Sequence, residues 1–107
     1  MTKELLEVVA LDIQVERRRR NNQLLEAVNG ETEIYNLEDL MRGVGSLNYA
    51  YNLVVALKRK WDDELYKSLL VQLAYSVVLL AEVDGDASAV LDIIDKIFSY
   101  NSQHEGE

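Results

Sequence analysis

Cysteine and proline are both absent from this chain of 107 residues, and histidine occurs once, at His104. Without cysteine there are no disulfides, thiolate nucleophiles, iron–sulfur clusters or cysteine zinc sites. A single histidine leaves nothing from which to build a Ser-His-Asp triad or a histidine metal cluster. Sheets with several turns seldom dispense with proline, whereas long helices joined by short polar loops do so readily. Basic charge is scarce as well: 11 Lys and Arg stand against 19 Asp and Glu, for a net charge of −8. That field repels duplex nucleic acid, whose binding is driven by cations that displace counterions, so direct nucleic-acid binding is not expected. Met1 to Ala10 carries Glu4 and Glu7 and lacks the basic-then-apolar order of a signal peptide. The most apolar stretch, Leu69 to Ala81, is interrupted by Gln72, Tyr75 and Ser76 and falls short of the ~20 residues that span a bilayer. A cytoplasmic protein without a membrane segment is the expectation.

What is present is a balance of 49% hydrophobic and 28% charged residues, enough for a single core in one domain spanning 1–107. Apolar residues recur at helical spacing in four segments. The first runs from Lys3 to about Val28, with a stripe at Leu6, Val9 and Ile13 that resumes at Leu24 and Val28, and Asn29-Gly30 supplies its stop. Glu31 to Tyr35 reads as a connector. Asn36 is placed to cap a second helix with Glu38 and Asp39 in its first turn, where the helix dipole favours negative charge. Its apolar positions are Leu37, Leu40, Met41, Val44, Leu47, Tyr51 and Val54, and Lys58, Arg59 and Lys60 suit its C-terminal end. Asp62 caps a third helix that is apolar nearly all round between Leu69 and Val83. A helix of that kind is central to a core or shared with another subunit, so a homo-oligomer through the third helix is expected. Asp84-Gly85-Asp86 ends it, and a fourth helix from about Ala87 to Tyr100 presents Val90, Leu91, Ile94, Ile97 and Phe98. The segment 101–107 reads as a mobile tail. The fold class is all-α, a four-helix bundle.

Extending the stripe of the first helix beyond Ile13 places Glu16, Arg17 and Arg20 on its inward face. Charges there are costly unless paired or wetted by a cleft. Either Glu16 pairs with one of the arginines where the helix emerges past its neighbours, or the three line a cleft that receives phosphate or a partner. Arginine forks suit phosphate oxygens. Asp84-Gly85-Asp86 resembles a fragment of a calcium loop, but the other ligands, including the glutamate at the twelfth position, are not at the needed spacing. Helix stop and cap account for it. Gln72 lies among apolar residues and needs a hydrogen-bond partner. Gly43 and Gly45 are unusual within a helix, where each costs ~1 kcal/mol relative to alanine, and close helix packing is the simplest reason for them. Trp61 and Tyr66 are placed to edge the core or to stack on a base.

The order of Glu16-Arg17-Arg18-Arg19, then Leu40 to Leu47, then Glu64 to Ala74 resembles the MazG-like all-α nucleotide pyrophosphohydrolases, particularly small phage and prophage members. Over roughly Leu11 to Asp84 the family's acidic–basic element falls on Glu16 and the following arginines, its second-helix glycine on Gly45 and the leucine after it on Leu47. The family's second-helix glutamates then fall on Arg42, Gly43 and Ser46, and its third-helix acidic pair on Leu69 and Gln72. Small phage members often carry glutamine at the last of these. The resemblance implies an enzyme that holds magnesium on those carboxylates and activates water against a nucleoside triphosphate. Magnesium needs hard oxygen ligands. Here Arg42 brings positive charge, Gly43 and Leu69 offer no ligand, and Glu38 and Asp39 lie a turn too early.

The expectation is therefore a non-catalytic helical interaction or regulatory protein on a MazG-like scaffold of phage or prophage origin, with no cofactor. A protein partner or a nucleotide held without cleavage at Arg17 or Arg20 fits that reading. One alternative is a divergent pyrophosphohydrolase with relocated ligands, for which magnesium would be required. Another is an acidic mimic of DNA that inhibits a host protein, which needs carboxylates in a stripe. Bacteriocin-immunity proteins are small helical bundles too, and no motif here favours that class.

Overall fold

Each of the four periodic segments becomes one α-helix in the computed structural model: α1 (Lys3–Val28), α2 (Leu37–Arg59), α3 (Asp63–Asp84) and α4 (Ser88–Gln103). The structure describes residues 1–33 and 36–103, the last two of these for backbone only. Ile34 and Tyr35 of the expected connector and residues 104–107 of the expected tail, His104 included, lie outside the described residues. Residues 101–103 belong to α4, so that part of the segment read as tail is helix.

The helix ends follow from the residues at them. Thr2 Oγ1 accepts from the Leu5 N–H to open α1. Glu31 N–H returns to the Glu26 carbonyl to close it, with Gly30 at φ 77°, where only glycine is unstrained. Asp62 Oδ1 accepts from the N–H groups of Glu64 and Leu65 and caps α3. Asn36 precedes α2 but makes no side-chain cap. Its Nδ2 donates instead to the Glu82 carbonyl at 2.7 Å, tying the start of α2 to the end of α3.

Each helix packs on its neighbours in sequence, and α4 returns against α1, closing a ring. The molecule is elongated, 51 × 24 × 20 Å. Leu6, Val9 and Ile13 of α1 meet Leu40, Leu47 and Val54 of α2, Leu69, Leu73 and Leu80 of α3, and Val90, Ile93 and Ile97 of α4 in one core. Five positions of the expected stripes turn outward: Val28, Leu37, Met41, Leu91 and Phe98 are exposed. In α4 the buried ridge is Val90–Ile93–Ile97, and the parallel apolar ridge through Leu91 and Phe98 faces solvent.

Helix α3 is the most apolar, and an 18-residue window of it has mean hydropathy 1.4. By length and composition it is long enough to cross a membrane, further than the stretch 69–81 alone indicates. In the bundle, Leu69, Leu73 and Leu80 fill the core, while Val71, Tyr75 and Val78 stand 62%, 48% and 62% exposed on the outer face.

Candidate functional site

The charged turn of α1 lies where the sequence placed it. Glu16 and Arg20 are buried, while Arg17 is half-buried. The three are not gathered into one cleft.

Arg20 is turned into the seam between α1 and the end of α3, with no exposed side-chain surface. Its Nη1 donates to Asp84 Oδ2 at 2.9 Å and to Gln23 Oε1 at 3.0 Å, and its Nη2 donates to the Asp86 carbonyl. Its Nε lies 3.6 Å from Glu16 Oε2, an ion-pair distance without a hydrogen bond. Glu16 is held more tightly by Arg19, whose Nε and Nη2 donate to its two oxygens at 2.6 and 3.1 Å. That fork-to-fork bond is the first cause of the Arg19 guanidinium being raised above its ordinary pKa, against a smaller opposing effect of burial. Partial burial pushes the Asp84 carboxyl up, but the Asp86 N–H and the Arg20 guanidinium together outweigh it and hold it below the usual range. Asp86, fully exposed, is lowered first by the Ser88 hydroxyl and then by the Ser88 N–H.

Arg17 points the other way, toward α2. Its Nη1 donates to Asn48 Oδ1 at 2.7 Å, and its guanidinium lies 4.8 Å from the centre of the Tyr51 ring. Arg17 and Asn48, with Arg18, Asn21 and Val44, line a shallow cleft of about 370 Å³ between α1 and α2. Neither Arg18 nor Asn48 announces itself in the sequence as part of such a cleft, because the register between α1 and α2 decides it. A second depression of about 350 Å³ between α1 and α4 is walled by Glu16, Arg19, Asp92 and Lys96, with Lys96 Nζ donating to Asp12 Oδ2 at 2.6 Å.

The positions aligned with family ligands are distributed as follows. Arg42 is exposed and paired with Glu38 at 2.7 Å within its own helix. Gly43 is buried against α3, where a Cβ would sit 2.7 Å from Leu80 Cδ2. Close packing thus explains Gly43, whereas Gly45 faces open space and has no such reason. Ser46 faces Gln72 across the α2–α3 interface, with its hydroxyl 2.9 Å from the Gln72 carbonyl and 3.0 Å from Oε1. Leu69 is wholly within the core. Among the described residues, no three Asp, Glu or His side chains come together as a group that could hold a metal ion.

Trp61 and Tyr66 stack on each other at 5.1 Å and 38°. Trp61 Nε1 donates to Asp63, and Asn101 Nδ2 donates to the Tyr66 hydroxyl at 2.6 Å, so this pair joins the start of α3 to the end of α4. Set beside known protein families, curated proteins and solved structures, the chain matches none.

Proposed function

We propose that the chain is a non-catalytic helical interaction protein on a MazG-like scaffold of phage or prophage origin, acting in the cytoplasm. The observation that carries this reading is the neutral contact between Ser46 and Gln72. These two positions, assigned by the resemblance to ligand-bearing helices, meet face to face across α2 and α3, as the halves of a metal site would. What they hold is a hydroxyl against an amide. Neither group carries the charge that draws magnesium out of water.

Gly43 and Leu69 add to it from the packing side. A glutamate at Gly43 would collide with Leu80, and Leu69 fills the core rather than a cleft. Arg42 adds positive charge that Glu38 already neutralises. The carboxylates of Asp62, Asp84 and Asp86 accept from backbone N–H groups at helix ends, which removes them from any DNA-like stripe.

The test is turnover by the purified chain on a panel of deoxynucleoside triphosphates with magnesium or manganese. No pyrophosphate release above the blank is the expected outcome. Metal-dependent release that disappears on changing Glu38 and Asp39 would instead establish relocated ligands and an enzyme. A second reading, nucleotide binding without cleavage, is favoured by the Arg17–Arg18 cleft, since Arg20 is committed to Asp84 and Asp86. Calorimetric titration of a nucleoside triphosphate against the wild type and Arg17→Ala separates the two.

A further inference from the structure

The outer face of α3 is uncharged over most of its length. Between Lys67 and Glu82 this helix carries no charge at all, in a chain whose net charge is −8. Two such chains repel each other through their acidic surfaces, and this face adds little to that repulsion. Its exposed residues are Lys67, Val71, Ala74, Tyr75, Val78, Ala81 and Glu82, spaced along one helical stripe opposite the buried ridge of Leu69, Leu73 and Leu80.

Apart from Ala81, whose counterpart Ser68 is half-buried, the stripe is symmetric about the midpoint between Ala74 and Tyr75. Val71 and Val78 lie equally far from that point on either side, and so do Lys67 and Glu82. A twofold contact requires such an order, because residue i meets j where j meets i. We infer that α3 pairs with α3 of a second copy, antiparallel, with Val71 against the partner's Val78 and Lys67 against the partner's Glu82. This names the partner within the interaction-protein reading proposed above and rests on it.

Charge selects the orientation. Lys67 is the only basic residue of α3, and its ion pair with Glu64 at 3.4 Å is largely exposed to solvent. Antiparallel pairing brings a lysine to a glutamate at both ends, whereas parallel pairing sets lysine on lysine and glutamate on glutamate. Ala74 beside the crossing point lets the helices approach. On α4, Leu91 and Phe98 are exposed as well, and Asn101 of the same helix bonds to Tyr66 of α3. Together the exposed apolar parts amount to on the order of 500 Å² per copy, below the ~800 Å² per partner of a standard interface. The dimer is therefore expected to dissociate on dilution.

Sedimentation equilibrium over a range of concentrations reads the association directly, and a strict monomer throughout overturns the inference. The absence of cysteine makes register readable by cross-linking. An equal mixture of Val71→Cys and Val78→Cys chains is expected to form disulfide dimers under mild oxidation, and neither variant alone is. Cross-linking of Val71→Cys alone indicates a parallel pair and also overturns it. Lys67→Glu and Glu82→Lys are each expected to raise the dimer Kd about tenfold, through two reversed pairs, and mixing the two variants to restore association. Within one chain residues 67 and 82 lie about 22 Å apart along the helix, so rescue on mixing reports contact between copies. Monomers that bind neutral lipid vesicles instead would assign the face to a membrane. A monomer without pyrophosphatase activity sinks the pairing and leaves the function reading standing, whereas turnover by a dimer does the reverse.

Discussion

Arg20 of α1 donates to Asp84, the last residue of α3, at 2.9 Å across 64 positions of sequence. The same guanidinium reaches the Asp86 carbonyl beyond the turn, so one buried cation fastens the middle of α1 to the α3–α4 corner. Removing one partner of a buried charge group leaves the others desolvated and unpaired. Arg20→Met is expected to lower stability by about 3 kcal/mol, the lower end of the usual range because Glu16 keeps Arg19. Adding Asp84→Asn to Arg20→Met is expected to cost little further, because that carboxylate has already lost its guanidinium partner. Urea midpoints followed by Trp61 fluorescence measure both, and an Arg20→Met chain as stable as wild type would show the clamp to be idle.

Gly43 and Gly45 sit two residues apart on α2 and should respond oppositely to the same change. A Cβ at Gly43 overlaps Leu80, whose side chain is fully buried. Gly43→Ala is therefore expected to destabilise by about 1–2 kcal/mol, the overpacking cost exceeding the gain in helix propensity. At Gly45 a Cβ meets nothing within 4 Å. Gly45→Ala is expected to stabilise by about 0.5–1 kcal/mol by restricting the unfolded chain. Thermal midpoints of the two variants decide it, and movement in the same direction would mean that α2 and α3 pack differently from the description above.

Helix existence and several helix ends, though not the Asn36 cap, were legible in the sequence because they depend on neighbours: Asp62 on the two N–H groups that follow it, Gly30 and Gly85 on their own backbone angles. The inward placement of Glu16 and Arg20 was legible too, since it needs only the period of one helix. Their partners were not. Periodicity gives a direction around an axis, but whether Arg17 meets Asn48 or Arg20 meets Asp84 depends on the offset between helices. In α4 two apolar ridges run side by side, and nothing local distinguishes Ile93 from Ile94 as the inward one. Gln72 shows the same division. Its need for a polar partner followed from its surroundings, and Ser46 as that partner followed only from packing.

The Ser46–Gln72 contact yields a prediction of its own. Ser46→Ala removes the partner of the Gln72 side-chain amide, whereas Gln72→Leu leaves the Ser46 hydroxyl only its bond to the carbonyl of residue 72. Ser46→Ala and Gln72→Leu are each expected to cost about 1 kcal/mol. The double variant should cost less than the sum of the two, because the second change removes the group that the first left unsatisfied. A double-mutant cycle in urea reads the coupling, and strict additivity would mean that the hydroxyl and amide act independently.

Acid should release the α1–α3 clamp through Asp84. Its carboxyl is held below the ordinary value near 3.8 by the Asp86 N–H and by Arg20, which outweigh partial burial. In the unfolded chain those partners are gone, so the unfolded state takes up the proton first as pH falls. Stability from this group is complete above the unfolded value of about 3.9. It is lost progressively below that, as pH falls through the lower value of the folded chain. Asp84→Asn cannot ionise and should lack this part of the pH dependence while being less stable at pH 7. Other carboxylates titrate in the same window, so the informative quantity is the difference in urea midpoint between wild type and Asp84→Asn. That difference is expected to be largest near neutrality and to shrink below about pH 4. A difference that stays constant down to pH 3 would show that Asp84 titrates alike in the folded and unfolded chains and that Arg20 does not hold it as an ion.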